Sequence, residues 1–474
     1  MVRVTRRPAA ALGAITLAAL VLRVVYVLGW HDPAPIGGDA YYYHHGANLF
    51  ADGQGFPQPY WLLQENWDTP GAQHPPLYIV ALGLGSLLGF TTYLEHQLLS
   101  CLMGAATVAV VGVLGTRLAG ARVGLLAAAV AAVYPNLWFN DALVLSETLV
   151  QLMSALVLLS AHAFWVRRDT RSAVVLGVVV GLAALTRAEL ILLSVVLVLP
   201  MCVLLRELAV RRRLALLAAA AVAVTATLLP WCAYNLARYE RPVLLTSGLD
   251  LALLVANCDD TYTGPTKGWW SYRCYLATPR PPGDESEQAV VYREIVRAYV
   301  SEHRSELPGV VAARIGRTWG LYAPGGQLVL DTIETRELPA SRVGLGMYYV
   351  LAVLTPVGLV RLRRRGVPVL PVVSLLVVVT AASALIYGTT RFRASAEPGL
   401  VLAAAVALAA PRRRPAAVAG TGTEPLSGTA PESPPTDPRR SGRPDTASTS
   451  AGGTPPPAAD SAAGPPGSDR TSAP

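Results

Sequence analysis

The chain has 474 residues, of which 53% are hydrophobic and only 15% charged, and its mean hydropathy is +0.41. So few charges cannot solvate the surface of a soluble globule, which excludes a water-soluble enzyme and indicates a polytopic membrane protein. The formal net charge of +8 could suggest nucleic acid, but the excess lies in short Arg clusters between apolar stretches, where it sets topology and meets anionic lipid; no nucleic-acid partner is expected.

A crossing helix needs about 20 apolar residues. Candidates fall at 9–29, 97–117, 121–135, 148–166, 172–187, 189–206, 213–233, 343–361, 367–388 and 398–411. The first is too long, and too clearly followed by others, to be a cleaved signal peptide. Arg3, Arg6 and Arg7 place the N-terminus inside, because short basic loops stay cytoplasmic. Within the first span Arg23 is expected to snorkel or to pair with an acid.

The loop that follows, residues 30–76, contains no Lys or Arg and is read as external. It opens on Gly37-Gly38-Asp39-Ala40-Tyr41-Tyr42-Tyr43. Asp39 can serve as a general base for an acceptor hydroxyl or as a metal ligand, or it can cap the helix beginning near Ala40. His74-Pro75-Pro76 fixes an extended entry into the apolar stretch Leu77 to Phe90, since proline restricts its predecessor. That stretch is about 14 residues long, short for a crossing, and is predicted to be a re-entrant or interfacial helix. Among His44, His45, Asp52, Glu65 and Asp68 no zinc-ligand spacing is recognisable.

Further along, Asp141, Glu147, Arg187 and Glu189 stand at predicted external ends of spans, Ser146-Glu147 also reading as a helix start. Arg187 and Glu189 would not face each other on a helix, so a simple ion pair is not their obvious purpose. The basic loops at 117–122, 167–171, 206–213, 361–365 and 412–414 all fall on the inner side. Cys101, Cys202 and Cys232 lie in spans and read as packing residues. Cys258 and Cys274 share the large external segment and could form a disulfide.

That segment, 234–342, is predicted to be a small extracytoplasmic cap with helices near 286–306 and 308–320. The first has an apolar face at Val290, Val291, Ile295, Val296, Tyr299 and Val300 that should pack on the membrane domain. Beyond it, Arg391 and Arg393 would point the same way in an extended stretch and could fork a phosphate, with Glu397 close by. The tail, 412–474, is rich in Pro, Ser, Thr, Gly and Ala; it is predicted to be disordered and cytoplasmic. The expected architecture is an all-α polytopic membrane protein: a membrane domain over 1–233 with its external loop 30–76, the cap 234–342, C-terminal membrane helices 343–411, and the tail. A charged group at bilayer depth costs roughly 2.5–3.5 kcal/mol on lenient scales, so polar residues gathered at one leaflet imply partners, water or a substrate.

Taken together, the chain resembles the GT-C superfamily of membrane glycosyltransferases, in particular the family 39-like group of protein O-mannosyltransferases and aminoarabinose transferases. The likeness rests on Asp39 with Tyr41-Tyr42, His74-Pro75-Pro76-Leu77, Ser146-Glu147, Leu185-Thr186-Arg187-Ala188-Glu189, Pro230-Trp231 with Asn235, and Arg391-Phe392-Arg393 leading to Glu397-Pro398. The segment from Ala256-Asn257-Cys258 to Cys274-Tyr275 is similar to that of actinobacterial members. The resemblance implies a GT-C-like bundle of about ten spans that moves a sugar from a polyprenyl-phosphate carrier to an acceptor hydroxyl on a protein, glycan or lipid at the outer face of the cell membrane, both termini being cytoplasmic. It implies Asp39 as the catalytic carboxylate, Arg391 and Arg393 as holders of the lipid phosphate, and His74 beside it. Tyr42, Glu147, Arg187, Glu189 and Glu397 complete the expected substrate-binding set, and surrounding lipid the partners. Where the group often has a second acid after the loop Asp this chain has Ala40, and where it often has Lys before the two prolines it has His74; a divalent metal ion is left open. The competing reading is a transporter or flippase of lipid-linked sugars, which would use the same outer acids and arginines for binding.

Overall fold

A computed structural model describes residues 6–30 and 37–409, and every regular element among them is helical. The predicted tail and the basic groups Arg3 and Arg412 to Arg414 lie outside the described residues.

The chain begins with the long α1 (Arg6–Gly29), followed by α2 (Gly38–Ala51), the short α3 (Pro59–Glu65) and α4 (Leu77–Ser86). Next come α5 (Tyr93–Ala119), α6 (Ala121–Val133) and the single turn α7 (Pro135–Trp138), which runs into a 3-10 turn, Phe139–Leu143. The spans continue as α8 (Glu147–Arg167), α9 (Thr170–Thr186), an irregular helical stretch ending in α10 (Leu199–Leu204), and α11 (Val210–Leu236). The segment between α11 and the C-terminal spans holds α12 (Leu249–Leu254), α13 (Asp259–Tyr262), α14 (Tyr272–Leu276), α15 (Glu285–Glu302), α16 (Leu307–Thr318) and α17 (Pro324–Asp331). Finally α18 (Leu338–Arg364), α19 (Leu370–Leu385) and α20 (Glu397–Ala409) return to the apolar bundle.

Five helices, α1, α5, α8, α11 and α18, are long and apolar enough to cross a membrane, and the pair Ala121–Val133 and Pro135–Leu143, bent by 77°, would make a sixth. Each remaining expected span falls on an apolar helix, but of at most 17 residues, below the roughly 20 needed to cross untilted. The chain is therefore a multi-pass membrane protein whose full count of about ten spans is not confirmed by helix length. α4 is a ten-residue helix, consistent with a segment that enters without crossing, and Leu84, Leu87, Leu88 and Phe90 at its far end are exposed.

Local sequence explains the boundaries. Thr92 and Glu95 form a reciprocal capping box that starts α5, while Pro135 stops α6, because the ring removes a donor and forces Tyr134 into extended backbone. Packing between helices uses small residues, as it does where lipid removes the hydrophobic drive: a Cβ on Gly358 of α18 would collide with the Ala403 carbonyl of α20, and one on Gly177 of α9 with the Ala220 carbonyl of α11. α20 is buried almost all round, which is why its sequence shows no polar stripe.

In the segment holding α12 to α17, Cys258 and Cys274 are bridged, their Cα atoms 6.3 Å apart. α15 does not press its predicted face on a membrane helix. Val290, Val291 and Ile295 are exposed, and Tyr292 and Val296 pack instead on Leu254 of α12, since spacing shows that a face is apolar but not which neighbour covers it. The first residue of α15, Glu285, ties this region to the first loop. Its carboxylate accepts from Gln58 Nε2 (2.7 Å), the Ala72 amide (3.1 Å), the Tyr239 hydroxyl (3.0 Å) and Ser247 Oγ (2.5 Å).

Candidate active site

Asp39 lies in the first turn of α2, whose N-cap is Gly37 and carries no side-chain cap. The chain enters through Gly38 at φ +54°, a left-handed conformation suited to glycine, and this turns the next side chain away from the cap position. Asp39 is thus not the helix cap, one of its two sequence readings. Its Oδ2 accepts from Arg391 Nη2 at 2.7 Å and its Oδ1 lies 3.3 Å from His74 Nε2. His74 is held between the rings of Tyr42 and Tyr43, at centroid distances of 5.1 and 5.0 Å. Burial pushes the Asp39 carboxyl up, but the Arg391 guanidinium and the His74 imidazole more than reverse this and hold it well below the usual carboxylate range. The side chain is 28% exposed, so it can be reached.

Arg391 spends each nitrogen on a different acid: Nη2 on Asp39, Nε on Glu147 Oε1 (2.7 Å) and Nη1 on Glu334 Oε1 (3.2 Å). Glu147, the first residue of α8, is fully buried, and its Oε1 also accepts from Arg187 Nη1 at 3.2 Å. Arg187 Nε meets Glu189 at 2.7 Å, and its guanidinium lies 4.7 Å from the Phe392 ring centroid. The expectation that Arg187 and Glu189 do not pair is corrected, because α9 ends at Thr186 and Arg187 is extended, so helical spacing does not govern the two side chains.

The expected fork of Arg391 and Arg393 is also corrected. Residues Thr390–Ser395 form a 3-10 turn rather than a strand, and at three residues per turn positions two apart diverge. Arg393 is buried elsewhere: Nε donates to Glu397 Oε1 at 2.6 Å, Nη1 to the Thr318 carbonyl at 3.1 Å, and the guanidinium covers Tyr348 at 3.7 Å. Glu397 accepts in addition from the Tyr134 hydroxyl (2.7 Å) and Asn136 Nδ2 (3.1 Å). This is a satisfied internal cluster, separate from Asp39. Asp141 is likewise occupied, 2.8 Å from Arg23 Nε with both side chains fully buried, and it accepts from Thr148 Oγ1 at 2.7 Å.

The structure therefore gathers Asp39, His74, Glu147, Arg187, Glu189 and Arg391, with Tyr42 lining the group, and leaves Arg393 and Glu397 apart. It adds Glu334, which the sequence reading missed. Glu334 sits just after α17 in a single 3-10 turn and is 8% exposed at its side chain. Burial pushes its carboxyl above the ordinary range against the pull of Arg391 and Arg336. The only sequence signal was the crowding of Asp331, Glu334, Arg336 and Glu337 just before an apolar span. Among the described residues no group of three or more His, Cys, Asp or Glu side chains is placed to hold a metal ion.

Residues 73–231 match the family model of dolichyl-phosphate-mannose-protein mannosyltransferases. The match takes in His74, Glu147, Arg187 and Glu189 and does not extend to Asp39, Glu334 or Arg391. No curated protein matches the chain. Among solved structures, the oligosaccharyltransferase of Archaeoglobus fulgidus in complex with Zn and sulfate is 15% identical over 84% of this chain and 48% of its own length, at a TM-score of 0.45. The same organism's AglB with an inhibitory peptide and a dolichol-phosphate is 14% identical over 85% and 50%, at 0.47. ArnT from Cupriavidus metallidurans bound to undecaprenyl phosphate is 15% identical over 83% and 76%, at 0.39. The chain spans about half the length of the oligosaccharyltransferases it matches.

Proposed function

We propose that the protein is a membrane glycosyltransferase that moves a sugar from a polyprenyl-phosphate carrier to an acceptor hydroxyl on the outer face of the cell membrane, with both termini cytoplasmic and residues 234–342 acting as a cap over the site. The observation that carries this reading is the 2.7 Å contact between Asp39 Oδ2 and Arg391 Nη2, residues 352 positions apart, in a group that also draws on the matched segment through His74, Glu147 and Arg187. Convergence of ionic groups from five distant segments is costly for a fold in lipid and is repaid when they handle a charged substrate.

In the proposed reaction the acceptor oxygen attacks the anomeric carbon, the bond from that carbon to the phosphate oxygen breaks, and the acceptor proton passes to Asp39. Asp39 is held ionised by Arg391, so it is in the base form throughout the working pH range; its low basicity suits a late proton transfer to a hydroxyl already turning into an oxonium. The leaving phosphate needs fixed positive charge as negative charge develops on it. Arg187 is the group best placed to supply it, because Nε and Nη1 face Glu189 and Glu147 while Nη2 carries no hydrogen bond among the described residues. Arg391, with all three nitrogens on acids, acts first as the positioning residue for Asp39, and Arg393 supports the fold rather than the phosphate. Asp39, Glu147 and Glu334 each direct one oxygen to Arg391, and no step is routed through a metal ion.

The test is transfer from a purified polyprenyl-phosphate sugar in liposomes. Asp39→Asn is expected to lower turnover by about 10²–10⁴, the range of general acid–base catalysis, with donor binding retained. Undiminished turnover in that variant would end the assignment. A flippase would instead move the lipid across the bilayer without consuming it, which the same liposomes would reveal.

A further inference from the structure

The charges around Asp39 do not balance. Four carboxylates, Asp39, Glu147, Glu189 and Glu334, meet two guanidiniums, Arg187 and Arg391. The nearby Arg336 is offset by Asp331 at 3.9 Å and is otherwise engaged by Thr390 and Asn140. Four acids against two guanidiniums leave the group with an excess of acid.

Two of these acids also leave an oxygen unused. Glu147 Oε2 and Glu334 Oε2 are both buried and have no hydrogen-bond partner among the described residues, while the Oε1 of each is bound to Arg391. A buried acceptor left unpaired is destabilising, more so when charged. Such atoms are satisfied by a ligand that brings O–H or N–H groups, and they repel one that brings lone pairs or negative charge. Arg391 cannot compensate, because its nitrogens are already spent.

We propose, building on the glycosyltransferase reading, that Glu334 is a specificity-determining residue that accepts a hydrogen bond from the transferred sugar ring, so that the site takes neutral or amino sugars and rejects sugars bearing a carboxylate. Glu334 lies between α17 and α18 rather than on a membrane helix, and α17 with its 3-10 turn is bracketed by two non-glycine residues in left-handed backbone, Ala323 (φ 44°) and Thr335 (φ 61°). Its carboxylate is therefore positioned by local backbone as well as by Arg391. Transfer of the ring past Glu334 leaves the chemistry at the anomeric carbon unchanged; the discrimination lies in which ring is bound next to Arg391.

The experiment measures binding to the full chain in nanodiscs of two probes on the same lipid, polyprenyl-phosphate mannose and polyprenyl-phosphate mannuronate, which differ only at C6. The wild type is expected to bind mannose at least tenfold tighter. Glu334→Gln, which keeps the shape but removes the charge, is expected to cut that ratio at least threefold, and Glu334→Asp to keep most of it. Equal or tighter binding of the uronate by the wild type, or an unchanged ratio in Glu334→Gln, overturns the inference, and the wild-type ratio alone decides the matter if the variants fail to fold. These outcomes are separate from the turnover of Asp39→Asn. Loss of turnover there together with no sugar discrimination would sink the inference and leave the enzyme standing, whereas failure of both probes to bind would overturn the two together.

Discussion

Replacing Arg391 by Gln removes the one guanidinium that three acids share. Glu147 is fully buried and Glu334 is 8% exposed, against 14% for Arg391 and 28% for Asp39. Breaking a buried ion pair by deleting one partner typically costs about 3–5 kcal/mol, because the remaining charge is left uncompensated. Here Glu147 keeps Arg187 at 3.2 Å and Asp39 keeps His74 at 3.3 Å, so the uncompensated burden falls mainly on Glu334, and the expected loss lies near the lower end, about 3 kcal/mol at pH 7. The sign of the pH dependence follows from Glu334. Its folded carboxyl is already raised by burial and loses the pull of Arg391 in the variant, so acidification protonates it first in the folded state and relieves the penalty. The difference from wild type should therefore shrink from pH 7 toward pH 5. Unfolding can be followed in detergent by a thiol-reactive dye in a Cys232→Ser background, because Cys101 and Cys202 are buried in the fold, Cys258 and Cys274 are bridged, and Cys232 is the partly exposed free thiol. A double variant Arg391→Gln/Glu334→Gln should recover part of the loss, with a coupling of about 0.5–3 kcal/mol for residues in contact. A loss below about 0.5 kcal/mol, typical of a solvated surface change, and flat between pH 5 and 8, would refute the view that Arg391 organises the site.

Other outcomes can be checked with the same preparations. Arg393→Ala should destabilise by about 3–5 kcal/mol because it strands Glu397, and Arg393→Met/Glu397→Met should recover most of that; dye-reported unfolding measures both. Gly104→Ala should be poorly tolerated, since a Cβ there would meet Asp141 Oδ2 and Arg23 Nε, and the expected cost is about 1–3 kcal/mol or more as for an overpacked core, read from expression and thermal midpoint. Burial, then the neighbouring His96 and His45, lowers the His44 imidazole to about 4. Its unfolded form takes up a proton first as pH falls below about 6.5, so stability declines from there toward pH 4. His44→Gln should flatten that part of a midpoint-versus-pH curve.

How far the sequence foretold the site can be traced residue by residue. Asp39, His74, Glu147, Arg187 and Arg391 were legible because a charge at the end of an apolar span needs a partner, and each stood at such an end. Their common location could not be read from spacing; it followed only from placing all those ends on one side, which the basic loops implied. Arg393 and Glu189 were misjudged for one shared reason. Both inferences assumed a regular period, two for a strand and 3.6 for a helix, in places where the backbone is a 3-10 turn or an extended break between helices. Helix ends are where period arguments fail, and the residues of the candidate site cluster at helix ends.

Glu334 marks a different limit. It belongs to a stretch with neither period nor motif, and what makes it part of the site is the return of α17 toward the bundle and a hydrogen bond to a residue 57 positions later. The same geometry accounts for the divided fate of the two arginines. Once Arg391 is satisfied by acids on α2, α8 and the external segment, the opposite side of the 3-10 turn faces α18 and α20, where Tyr348 and Glu397 wait in a buried setting. A guanidinium entering that interior must find an anion or remain costly, and Glu397 supplies one four residues along. The turn thus carries one arginine toward the candidate site and one into the core, so substitution at Arg391 perturbs the candidate site as well as stability, whereas substitution at Arg393 reports stability alone.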